Sequence, residues 1–111
     1  MEKLEKYRQL IKQMLLKYRE RRPSQDGVEV EVILDTERDH YQIMHVGWNR
    51  QNWVHGCVIH IDIKNEKIWI QWNGTEADIA EELVAAGVPK DDIVLGFQPP
   101  FMRQFTEYAV G

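Results

Sequence analysis

Four histidines stand within 21 residues of one another: His40, His45, His55 and His60. Imidazole is the commonest protein ligand for transition metals, so such a density raises a metal reading first. None of the four falls in a known ligand spacing such as H-E-x-x-H, and a site built from all four needs them to converge. Alternation along the strands puts His45 and His60 on the outer sheet face and His55, two residues before Cys57, on the inner one. That spread favours structural histidines, and no metal ligand is assigned. Asp62-Ile63-Lys64 places a carboxylate and an ammonium on the same side of a strand, as the acidic-x-Lys element of metal-dependent nucleases requires. Asp35 or Glu31 is the candidate for its second carboxylate. The plainer account is that Asp62 and Lys64 decorate the solvent end of a hairpin.

Covalent catalysis has little to work with. Cys57 lies inside an apolar strand with no basic neighbour, where a thiol behaves as a small hydrophobe. Ser24 is the one serine and sits in turn chemistry, and no glycine-rich phosphate loop is present. No catalytic residue and no cofactor are therefore assigned. The densest polar run is Asp35-Thr36-Glu37-Arg38-Asp39-His40, which reads as a solvated hairpin loop with internal ion pairs or as a recognition loop carried by a rigid sheet. Trp48 and Trp53 flank a loop and are expected to stack across a strand pair. Trp72 is expected on the core face, and Trp69 on the outer face near Asp62, as an anchor for a protein contact.

The elements that position these groups follow from periodicity. Leu4, Tyr7, Ile11, Met14 and Tyr18, widened by Leu15, recur at helical spacing, and Arg21, Arg22 and Pro23 close that helix. Ser24-Gln25-Asp26-Gly27 is turn chemistry. Strands are predicted over residues 28–34, 40–48, 53–63 and 67–73. A two-residue turn at Asn65-Glu66 sets Lys64 against Lys67, Ile63 against Ile68, Ile61 against Ile70 and Ile59 against Trp72. A three-residue connection or a bulge is needed to bring residues 28–34 onto the face of Met44, Val46 and Trp48. The opposite face then holds Ile33, Tyr41, Ile43, Val54, Val58 and Trp69, enough apolar surface to require a cover, either a helix over part of it or another protein chain. Thr75 is the expected N-cap of a second helix whose stripe is Ile79, Leu83 and Ala86, ended by Gly87 and Pro89. A short apolar return, Ile93-Val94-Leu95, precedes a tail with Phe101, Phe105 and Tyr108. The fold class is α+β in one domain, residues 1–111: an N-terminal helix, a four-stranded antiparallel meander, a second helix and a short C-terminal tail, with the helices on one sheet face.

The chain has 111 residues, 43% of them hydrophobic, which suits one ordinary globular domain. A single cysteine excludes an internal disulfide and fits a reducing cytoplasm. No apolar run is long enough for a membrane span, so no membrane partner is expected. The net charge of −4 is unevenly divided. Residues 1–22 hold eight basic and three acidic side chains, and the remainder holds six basic against fifteen acidic. An acidic body repels phosphate. The basic residues of the first helix, Lys3, Lys6, Lys12, Lys17, Arg19, Arg21 and Arg22, scatter around it, which suits a solvated face better than a groove reader. Direct nucleic-acid contact is accordingly not favoured.

The runs Asp35-Thr36-Glu37-Arg38-Asp39-His40-Tyr41-Gln42, His45-Val46-Gly47-Trp48, Gly56-Cys57-Val58-Ile59-His60-Ile61-Asp62-Ile63-Lys64 and Lys67-Ile68-Trp69-Ile70-Gln71 resemble the XisI family. So does Gly87-Val88-Pro89-Lys90-Asp91-Asp92-Ile93-Val94-Leu95-Gly96-Phe97 with its Pro99-Pro100. The similarity spans essentially the whole chain. It implies a small cyanobacterial protein of the kind that controls excision of the fdxN element in heterocyst-forming filaments, alongside a separate site-specific recombinase. It also implies a XisH-like, nuclease-fold partner, and it carries over no catalytic or metal-binding residue. Three functions follow as expectations: a non-enzymatic accessory factor acting through protein contacts, a DNA-binding protein using the first helix, and a metal-dependent nuclease built on Asp62 and Lys64. For the first, the contact is expected at Asp35, Glu37, Arg38, Asp39, His40, His60, Asp62 and Trp69, with self-association through the second sheet face as a further possibility.

Overall fold

The helical stripe of the first segment is realised in α1, Glu2–Arg21, which buries Tyr7, Ile11 and Leu15. The computed structural model describes residues 2–22, 24 and 27–111, so the expected stop at Pro23 and the turn through Gln25 and Asp26 lie outside the described residues. Strands β1 (Val28–Asp35), β2 (His40–Asn49), β3 (Asn52–Lys64) and β4 (Lys67–Asn73) follow, then α2 (Ile79–Ala85), a 3-10 turn over Lys90–Asp92, β5 (Ile93–Leu95) and α3 (Pro100–Arg103). The first four strands form an antiparallel meander, and β5 pairs with β4 in parallel to complete a five-stranded sheet. The sequence predicts four strands. Three residues are too few to show alternation, and the parallel pairing depends on α2 carrying the chain back along the sheet.

Register decides which residues face the helices. Between β1 and β2 the connection is four residues, with Asp39 at φ 61°. This sets Val32 opposite Ile43 and Leu34 opposite Tyr41. Tyr41 and Ile43 are therefore in the core, fully buried, and not on the outer face where a shorter connection would put them. Between β3 and β4 the predicted turn at Asn65-Glu66 is present, with Lys64 opposite Lys67, Ile63 opposite Ile68 and Ile61 opposite Ile70. Beyond Ile61 the ladder shifts, leaving Gln71 without a partner, so His60 pairs with Trp72 and Ile59 with Asn73. That bulge turns Trp72 out of the core to 53% exposure, against the expectation that it faces inward. A second shift, between Ile43 and Met44, leaves Val58 as the extra residue of β3.

One apolar cluster joins Tyr7, Ile11 and Leu15 of α1 and Ile79, Ala80 and Leu83 of α2 to the inner sheet face. On that face stand Tyr41, Ile43, Ile59, Ile61, Ile63, Ile68, Ile70 and Ile93. Each fully buried aliphatic side chain contributes about 1.5–3 kcal/mol by leaving water. α2 starts one turn later than predicted. Asp78, not Thr75, is its N-cap and accepts from the Glu81 amide. Thr75 instead donates its hydroxyl to Asn73 and accepts from the Ala77 amide, closing the turn ahead of the helix.

The outer face is treated differently at its two ends. At β4 and β5 the tail closes it off: Ala109 pairs with the outer edge of β5 at Val94, and Arg103 sits over the Trp69 ring. Over β1–β3 the face is open.

Candidate functional site

Among the described residues Asp62 is the one charged residue that is buried, 8% exposed, and it lies on the outer face of the sheet's central strand. Its position is a product of register. The β2–β3 pairing places His40 directly opposite Asp62, and His60, two residues earlier on β3, shares the same side of the sheet. His40 Nδ1 lies 2.8 Å and His60 Nε2 2.9 Å from the same oxygen, Asp62 Oδ1. Gln71, released from the ladder by the bulge, donates its amide to Asp62 Oδ2 at 3.1 Å. Every partner of the carboxylate is thus a side chain on a strand or at its start.

Burial pushes the Asp62 carboxyl up, but hydrogen bonds from His40 and Gln71 and the charge of His60 outweigh it and hold the group below its ordinary value. The same bond raises the His40 imidazole above its ordinary value. An ionised carboxylate flanked by two imidazoles can store a proton, bind a cation or accept a donor from another molecule. The three potential ligand atoms, one each from His40, His60 and Asp62, lie within 4.8 Å of one another.

The remaining histidines go elsewhere. His45 faces the helices, not the outer side, with Nε2 3.4 Å from the Tyr18 hydroxyl. His55 stacks on Trp53 on the outer side, opposite to its expected inward placement. The expected pair of His45 and His60 is therefore replaced by His40 and His60.

Loop residues 35–40 divide into a framework and a display. Asp35 Oδ1 accepts the amides of Glu37 and Arg38, which shapes the turn. Asp39 receives Arg8 of α1 through two bonds of 2.8 and 3.1 Å and the Tyr41 hydroxyl at 2.7 Å. The Arg8 guanidinium beside it holds its carboxyl below the usual range. Asp35 and Asp39 are thus committed to holding the loop, while the side chains of Glu37 and Arg38 project outward. Arg38 keeps 73% of its side chain exposed.

Trp69 is on the outer face as expected, but it is 7% exposed. Its indole donates to the Lys64 carbonyl, with the Lys64 ammonium 3.9 Å from the ring centroid and Arg103 at 5.2 Å. A partner reaches Trp69 only after displacing that cover. Lys64 is likewise turned onto Trp69. Among the described residues neither Asp35 nor Glu31 joins Asp62 in a metal-competent group. The two-carboxylate arrangement of the nuclease reading is not formed.

The apolar outer face is smaller than the sequence suggests, because Tyr41 and Ile43 are inside and Trp69 is covered. Its exposed members include Ile33, Trp72 opposite His60, and the pair Trp48 and Trp53, whose rings meet across the strand pair at 5.3 Å between centroids but tilted by 54° and not stacked as expected. On the opposite side, a groove of about 630 Å³ between α1 and α2 is lined by Leu10, Met14, Ile59 and Leu83, with Lys17 and Arg21 among its polar residues. It lacks the convergent, mutually oriented polar groups seen around Asp62. Cys57 is partly buried, its thiol bonded to the Ile59 carbonyl and pushed up by burial, consistent with the inert role expected. No helix among the described residues is long and apolar enough to cross a membrane.

Sequence reasoning missed Gln71 and the convergence of His40 and His60. The signal was present in part: His60 and Asp62 are two apart on a strand, and one correct cross-strand register would have placed His40 beside them.

Comparison with known proteins supplies the context. No curated protein matches the chain. Among solved structures, a XisI-like protein from Anabaena variabilis ATCC 29413 shares 54% identity with a TM-score of 0.93, covering 97% of this chain and 99% of its own. The fdxN element excision controlling factor XisI from the same organism shares 35% identity with a TM-score of 0.87, covering 98% and 99%. The family model described as XisI protein matches residues 1–110, and the chain belongs to the XisI family.

Proposed function

We propose that this chain is an accessory factor in the control of site-specific excision of a DNA element, and that it works without catalysis, through protein contacts on the outer face of its sheet. The carrying observation is its whole-length likeness to the protein named fdxN element excision controlling factor XisI. A XisH-like protein is the partner we assign. The proposed contact is the open region where Glu37 and Arg38 stand beside the His40–Asp62–His60 cluster. An acidic body with an exposed polar loop on a rigid sheet suits a basic protein surface better than phosphate. Two cations of the first helix are engaged within the chain, Lys3 with Asp92 and Arg8 with Asp39, which supports a packing role for that helix over a groove-reading one.

Co-purification tests this reading. The wild-type chain is expected to retain a XisH-like protein, and Glu37→Lys with Arg38→Glu is expected to lose it while the fold, followed by circular dichroism, stays intact. Undiminished retention by that double variant would remove the outer-face loop as the contact.

A further inference from the structure

We propose that His40, His60 and Asp62 form a binding site for one divalent transition-metal ion of the zinc, cobalt or nickel class. The inference concerns this chain alone and does not depend on the partner assigned above.

Donor type is the first support. Two imidazoles and one carboxylate are the ligands that borderline-soft divalent ions prefer, whereas magnesium and calcium select oxygen. Geometry is the second. His40 and Asp62 are a cross-strand pair and His60 lies two residues along the same strand, so the backbone fixes all three on one side of the sheet. Their ligand atoms lie within 4.8 Å of one another. Asp62 Oδ1 lies 2.8 and 2.9 Å from the two ring nitrogens, and a tetrahedral ion with bonds near 2.1 Å needs about 3.4 Å between ligand atoms. An opening of about half an ångström accomplishes this. Both rings must provide it, and both are accessible to solvent, His40 at 53% and His60 at 31% of the side chain.

The third support lies behind the ligands. Asp62 Oδ2 is held by the Gln71 amide, and Gln71 occupies space that only a glycine at position 96 leaves available. Orientation of a ligating carboxylate by a side-chain amide is the arrangement that tunes metal sites. Three protein ligands on an open face leave at least one coordination position for water or for a donor from another molecule.

The test is titration of chelator-treated protein with Zn²⁺ alone and with Co²⁺ alone, by calorimetry and by the visible absorption of cobalt. One ion per chain is expected, with micromolar or tighter affinity. His40→Ala and His60→Ala each weaken binding at least tenfold, and Gln71→Leu weakens it about 10- to 100-fold. His45→Ala and His55→Ala leave it unchanged, and millimolar Mg²⁺ does not compete. His40→Ala, at an exposed side chain, keeps the measurement interpretable should variants of buried Asp62 fail to fold. Absence of one-to-one binding, equal binding by His40→Ala and His60→Ala, equal losses in the His45 and His55 variants, or effective competition by Mg²⁺ would each overturn the proposal.

Discussion

Gly96 is the position at which the outer-face cluster can be perturbed without touching it. Its φ is not among the positive values, so alanine is compatible with the backbone there. The constraint is spatial. A Cβ at this position would lie 2.3 Å from Gln71 Oε1 and 3.1 Å from its Cδ, and 3.3 Å from the Ile70 carbonyl. Gly96→Ala is therefore expected to push the Gln71 amide off Asp62. Losing one hydrogen bond to a charged group costs about 1.5–3 kcal/mol. Removing a glycine from the unfolded chain returns about 0.4–1 kcal/mol. The net expectation is a loss of about 1–2 kcal/mol, or roughly 4–8 °C in Tm for a domain of this size. Urea and thermal unfolding of Gly96→Ala, Gln71→Ala and the double variant measure the coupling directly. With Gln71 shortened to alanine the clash disappears, so Gly96→Ala should become neutral or slightly stabilising. An equal loss in both backgrounds would place the cost at the Ile70 carbonyl and refute the account.

Other expectations follow from the same structure. Ile43→Ala should destabilise by about 2–5 kcal/mol, because Ile43 is fully buried, whereas half-buried Met44→Ala should cost clearly less; the reverse order in chemical denaturation would overturn the β1–β2 register. Asp92 accepts from Tyr7 and Lys3, and although burial raises its carboxyl, those bonds hold it below the ordinary value of about 3.9. Its stabilising contribution is thus complete above about pH 5 and is lost as pH falls through the unfolded and then the lower folded value, so Asp92→Asn should flatten the acid limb of the Tm–pH curve. An unchanged acid limb would contradict that assignment. Duplex DNA titrated at two salt concentrations should show no tight complex with a steep salt dependence; one that is lost on neutralising Lys12, Lys17 and Arg21 would restore the DNA-binding reading.

How far the residues alone reach depends on where alternation is unbroken. The β3–β4 hairpin was legible from Lys64 to Ile61 because four isoleucines sort onto one face in a single register. It ceased to be legible at Gln71, since a bulge changes no residue type and is paid for by contacts elsewhere, here with Asp62 and past Gly96. The β1–β2 connection is one residue longer than the three the alternation calls for, because Asp39 adopts a left-handed conformation whose stabilising partners, Arg8 and Tyr41, come from outside the loop. That one residue moved Tyr41 and Ile43 into the core. Trp69 was correctly assigned to the outer face, but its cover of Arg103 and the tail is a long-range contact without local pattern. The candidate site depends on these same registers, which is why Asp62 and His60 were identified while their convergence with His40 was not.

The outer face around Asp62 is the surface we propose for contact with a partner. Hydrogen–deuterium exchange of the chain with and without a XisH-like protein tests it most directly. Complex formation should slow exchange in peptides covering residues 36–42 and 58–64, with α1 and the groove against α2 unchanged. Protection confined to α1 and α2, with residues 36–42 exchanging as in the free chain, would contradict it.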